Sequence, residues 1–238
     1  MRRTRTAQGG RNGKRAAMRW PVAAAAAAGV LAVAGCGQTQ LGAAALYSNQ
    51  RISTAKLTAE VANLNTYYQA DKAKLHPQYT PAQMPQQVLS WMLRFATTDQ
   101  LALRLGIHVT PRSAQQQADA EKAKLAQSGN TLKEAAVLNG LPPDLLPHLG
   151  RWLAIQFKLE KVLSHGVAPT TNAAQQALLA KINHVQCLAA KSMHIKVNPQ
   201  YGAYDYHQFA VVPLPNKLST VPGARPKASP APQLRPNC

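Results

Sequence analysis

Apolar side chains recur three and four residues apart through most of the middle of the chain, and each such stretch is bounded by residues that start or stop helices. Leu57, Val61, Leu64 and Tyr68 predict a helix over 54–74. Val88, Leu89, Trp91, Met92, Leu93 and Phe95 form a nearly continuous apolar run, the mark of a helix buried on most sides. Leu145, Leu149, Trp152, Leu153, Ile155, Leu159, Val162 and Leu163 give a broad stripe on a further long helix. Leu178, Leu179, Ile182, Val185 and Leu188 give another, running to about Lys191. Ala43–Tyr47 reads as a short strand, and 49–53 as a turn leading into the first helix.

The joints between these stretches are chemically specified. Gly106 suits the left-handed residue that closes a helix. Ile107 and Val109 then point inward from an extended link and His108 outward. Thr110 can cap a polar helix that begins with Pro111, where no amide donor is needed. Thr131-Leu132-Lys133-Glu134 is a capping box opening a short helix that Gly140 ends. Pro142-Pro143 opens the next, Ser164-His165-Gly166 closes it, and Thr170-Thr171 caps the last. Thr80 and Pro81 suit the cap and first position of the apolar helix.

This order of joints, from Ala43 to Ser164 with a fainter echo to Asp205, resembles the N-terminal chaperone domain of the SurA/trigger-factor superfamily. The matching features are a long helix ending in Gly106-Ile107-His108-Val109-Thr110, a polar helix, a Thr-capped short helix, then Gly140-Leu141 and a long helix. Asn49-Gln50 stands where the family usually has Asn/Asp-Gly, and Gln200 replaces an Arg in a Val-Asn-Pro-Arg-Tyr-Gly segment of secreted relatives. The resemblance implies a mainly α fold, with a short strand pairing between Ala43–Tyr47 and the segment near 195–197. It also implies binding of unfolded or extended segments of secreted proteins. The parvulin isomerase domain that such foldases usually insert has no room here, because residues 166–171 alone separate two helices.

The first 35 residues change the picture. A basic segment to Arg19 precedes a short apolar run over 22–34, well under the roughly 20 residues needed to span a bilayer. Val33-Ala34-Gly35-Cys36 resembles the bacterial lipobox, which implies cleavage before Cys36, a diacylglycerol on its sulfur, and palmitate among the lipids of the mature protein. The expected organisation is a lipoprotein signal peptide (1–35), a tether (36–42), the helical domain (43–212) and a Pro-rich disordered tail (213–238). The expected location is extracytoplasmic, lipid-anchored to the cell membrane.

The chain has 27 Lys and Arg against nine Asp and Glu; seven of the basic residues precede Cys36, so the processed chain carries +11. That charge favours anionic surfaces and acidic client segments. The basic residues are scattered rather than clustered with aromatics, so nucleic acid is not an expected partner. Nothing in the sequence sets the oligomeric state. With three cysteines, at least one of Cys36, Cys187 and Cys238 stands outside an intramolecular disulfide. A Cys187–Cys238 bridge would tie the tail down.

Catalytic chemistry finds little to work with. The nine carboxylates form no obvious acid/base pair, and neither a Gly-x-Ser-x-Gly elbow nor a phosphate loop occurs. His184, Cys187 and His194 fall short of the paired ligands of structural zinc. No cofactor, metal or catalytic residue is assigned, and no enzyme activity is expected. The large side chains of the long helices are either core or the lining of a client groove. Met84, Trp91, Met92, Phe95, Trp152 and Phe157 are the candidates. Two other functions stay open: a structural or ligand-binding envelope lipoprotein reusing the fold, and a foldase subunit needing a separate isomerase partner.

Overall fold

The apolar run centred on Trp91 forms α2 (Met84–Arg104), and the other elements are laid against it. The computed structural model describes residues 42–70, 74–75, 78–214 and 238. In chain order these form β1 (Ala43–Tyr47), β2 (Gln50–Ser53), α1 (Thr54–Ala70), α2, α3 (Pro111–Ala126) and α4 (Leu132–Leu138). A single 3-10 turn (Pro143–Leu145), α5 (Leu146–Leu163), α6 (Asn172–Ser192), β3 (Lys196–Val197), β4 (Ala203–Asp205) and β5 (Ala210–Val212) follow. The fold is mainly α, as the periodicity indicates. The signal-peptide and lipidation expectations, with Cys36, lie outside the described residues, and so does the tail over 215–237.

Helix α2 packs against α1, α5, α6 and β5. Val88, Leu89 and Leu93 are fully enclosed, each contributing roughly 1.5–3 kcal/mol relative to exposure. They share the main core with Leu57, Leu64 and Tyr68 of α1 and with Val137, Leu141 and Leu149. A second cluster gathers Leu101, Ala102 and Ile107 against Ile155 and Leu159 of α5 and Ala189 of α6. The polar groups inside are matched over long sequence distances. Tyr68 donates to the Val137 carbonyl at 2.6 Å. Ser90 Oγ donates to the Gln86 carbonyl at 2.7 Å and accepts the Val211 amide at 2.8 Å, so α2 supplies a bond that β5 would otherwise lack.

Two small sheets complete the fold. β1 lies between β2 and β3 with all pairings antiparallel. Its register with β3, Ala45 to Val197 and Leu46 to Lys196, is the expected pairing between the start of the domain and its C-terminal part. β4 and β5 form a separate hairpin with Tyr204 opposite Val211.

The joints read from sequence are present. Gly106 sits at φ +64°, Ile107 is buried, His108 is exposed, and Val109 packs on the second cluster. Thr110 caps α3 in a reciprocal box with Ser113, and Thr131 caps α4 with Glu134. Thr171 caps α6 by accepting the Ala174 amide. Helix α3 buries none of its residues yet docks on α5 through small side chains. A Cβ at Gly150 would stand 2.9 Å from the Ala114 carbonyl oxygen and 3.3 Å from Ala118 Cβ, so glycine is what lets the two helices meet.

Three local expectations are corrected. Residues 50–53 are a strand rather than part of a turn; the turn is Ser48-Asn49, with Ser48 at φ +49° taking the left-handed place without glycine. Thr80 does not cap α2: the helix begins at Met84, and Gln83 Oε1 accepts from the Thr80 amide and hydroxyl. A helix begun at Pro81 would carry Pro85 past its first turn, where the ring clashes with the preceding carbonyl; beginning at Met84 keeps it within that turn. Pro142-Pro143 opens the 3-10 turn before α5 rather than α5 itself.

Candidate functional site

The six candidate groove residues separate in space. Met84 and Trp91 belong to the main core and line neither of the two large clefts described below. The Trp91 ring stacks at 5.7 Å on Phe95 and meets Trp152 edge-on at 6.0 Å. Its Nε1 donates to the Asn139 carbonyl at 2.9 Å, alongside Gln87 Nε2, so it clamps the end of α4 to α2. Met92 and Phe95 are nearly buried but reach one cleft, and Trp152 reaches the other. Phe157 is 43% exposed on α5, with Lys161 Nζ 4.6 Å above its ring. The structure therefore brings Trp91, Phe95 and Trp152 together as one aromatic cluster and leaves Met84 and Phe157 apart from both clefts.

The first cleft, about 380 Å³, opens between α2, α5, α6 and the β4–β5 turn. Trp152, Leu179, Ile182 and Phe209 supply apolar wall, and Leu179 is half exposed. Gln156 and Gln186 are joined across it by a 2.9 Å hydrogen bond. Arg94 lines it from the middle of α2. Its guanidinium lies 4.6 Å over the Trp91 ring, and no described residue forms an ion pair or hydrogen bond with its side chain. Burial holds its pKa below the usual guanidinium value. Nearby Tyr204 is pushed above the ordinary phenol range by burial, partly offset by Thr97 and Arg94, so it stays protonated and offers Arg94 no counter-charge. Trp152 Nε1 is a buried donor with no partner among the described residues.

The second cleft, about 330 Å³, lies on the other side of α2 between β1, β2 and the start of α5. Met92, Phe95, Ala96 and Leu103 meet Arg51, Lys56, Asp99 and His148 there. Asp99 is already paired with Arg151 at 2.7 Å. This wall is more polar and its one acidic group is satisfied.

Arg94 and Phe209 did not emerge from sequence reasoning as site residues. For Arg94 a signal exists: a cation inside an apolar run that forms a helix buried on most faces. For Phe209 there is none, because its place depends on the β4–β5 turn. Cys187 is bonded to Cys238, and His184 Nδ1 lies 3.1 Å from the Cys238 carbonyl. Among the described residues no three His, Cys, Asp or Glu side chains are grouped to hold a metal ion, and no helix is long and apolar enough to cross a membrane.

Comparison of the chain with protein-family models, curated proteins and solved structures gives no match.

Proposed function

We propose that this chain is an envelope lipoprotein, tethered through Cys36, whose helical domain holds unfolded or extended segments of secreted proteins without isomerase activity. The observation that carries this reading is the open cleft between α2, α5 and α6, where Trp152, Ile182 and half-exposed Leu179 offer an apolar surface that no described residue covers. The ordered joints support it, since the Gly106-to-Thr110 link and the two Thr-capped helices follow the SurA-type series. The Cys187–Cys238 disulfide agrees with an oxidising compartment outside the cytoplasm.

Light scattering of a heat-unfolded secreted protein tests the reading. The processed chain at equimolar ratio is expected to suppress aggregation, and Leu179→Glu, at a half-exposed position, is expected to weaken suppression several-fold with the fold retained. The rate of prolyl isomerisation in a model peptide is expected to stay at the uncatalysed value. Unchanged scattering at a several-fold excess of the chain would refute the holdase role.

A further inference from the structure

The cleft that carries the holdase reading has a charge in its wall that an apolar client does not need. Arg94 is half-buried and stacked on Trp91, and no described carboxylate lies within ion-pair distance. A cation so placed has given up much of its hydration without a partner, which is unfavourable unless something else supplies the negative charge. Its neighbours are chemically mixed. Thr97 and Thr98 of α2 offer hydroxyls, Gln156, Asn183 and Gln186 offer amides, and Trp152, Ile182, Leu179 and Phe209 offer apolar wall.

Phe209 adds a second, independent sign. It is a bulky residue at φ +50°, a left-handed conformation that costs on the order of 1 kcal/mol in a non-glycine residue. The β4–β5 turn holds it there. Buried Asp205 accepts the amides of His207 at 2.7 Å and Gln208 at 3.1 Å, and the Gln208 side chain at 3.3 Å. Strain maintained by a dedicated local network, with the strained side chain at a cleft, is characteristic of binding sites.

We propose that this cleft binds the carboxyl end of a polypeptide whose last residue is apolar, with Arg94 pairing the α-carboxylate. The guanidinium fork matches a planar carboxylate in two parallel hydrogen bonds. The Asn183 amide, and the donor and acceptor capacity that Gln156 and Gln186 keep beyond their mutual bond, match peptide groups, which an alkyl chain would not engage. Ile182, Leu179 and Phe209 receive the last side chain. A volume of about 380 Å³ falls within the range of small-ligand pockets, about 300–1,000 Å³. Exposed Glu160 lines the same cleft and disfavours a second acidic group near the chain end. This inference rests on the holdase reading and names which part of a client is recognised.

Calorimetric titration of the processed wild-type chain with N-acetyl-Ala-Leu-Phe as free acid and as C-terminal amide tests it without any mutation. The acid is expected to bind at least tenfold more tightly than the amide. Arg94→Gln is expected to abolish that preference, and Glu160→Gln to preserve it. Equal affinity for acid and amide, or an acid preference that persists in Arg94→Gln, would overturn the proposal. So would tighter binding of decanoate than of the peptide acid, which would assign the site to a lipid acid. The two readings fail separately: equal protection of a client with a free and with an amidated carboxyl end would leave the holdase role standing and remove this one.

Discussion

Two polar side chains set among apolar neighbours show how differently single residues are treated. Ser90 is enclosed within α2 and satisfied at both ends, by Gln86 and by Val211 121 residues further on. Glu60 of α1 is half-buried, and its Oε2 is enclosed with no partner among the described residues. Burial raises its pKa above the ordinary 4.5, with Asp144 adding to the effect and Lys56 and His148 opposing it. An acid whose folded pKa is raised binds its proton more tightly in the native state. Its contribution to stability is complete below the unfolded pKa and is lost as pH rises through the folded one. Glu60→Gln, which cannot ionise, should therefore melt at a higher temperature than wild type at pH 7, with the gain fading as pH falls towards 4. Thermal denaturation at the two pH values checks this, and an equal gain at both would contradict it. Neither role was legible in the sequence. Ser90 stands in an apolar run, but the need of the distant Val211 amide for an acceptor is a tertiary fact, and so is the lack of a counter-charge at Arg94.

At the scale of elements, legibility follows the range of the interaction that defines each boundary. The Thr110–Ser113 and Thr131–Glu134 boxes close within three residues, and Gly106 ends α2 through its own backbone conformation, so sequence alone locates them. The strand β2 depends on its pairing with β1 and on Ser48 accepting a left-handed turn, and the β4–β5 hairpin depends on Ser90 and Asp205. These are decided by partners elsewhere in the chain. Helix α3 is an intermediate case: its cap was readable, but its docking was not, because the contact is a glycine on α5 facing two alanines. Gly150→Val should force α3 away from α5 and lower unfolding free energy by about 1–3 kcal/mol, the usual range for overpacking. Gly150→Ala should do so to a lesser degree. Urea denaturation of the two variants measures this, and a valine variant as stable as wild type would show that α3 is not held at that crossing.

For the molecule as a whole, helical class and the order of the long helices follow from hydrophobic spacing, whereas the state of its cysteines did not. The count left Cys187 and Cys238 either free or paired; the structure joins them across 51 residues, with Cys187 buried on α6. Closing a loop of that length restricts the unfolded chain and stabilises the fold by up to about 4 kcal/mol on the chain-entropy scale. Cys238→Ser, reduction with dithiothreitol and deletion of 215–238 should lower the melting temperature by similar amounts. A deletion more damaging than the serine variant would mean that the tail contributes contacts of its own. The same link gives this part of the protein the topology of a ring rather than a strand. Hydrolysis of any single peptide bond between Cys187 and Cys238 opens the ring without separating the pieces, so a first proteolytic cut there leaves the mass of the molecule essentially unchanged, and release of a fragment requires a second cut or a reductant.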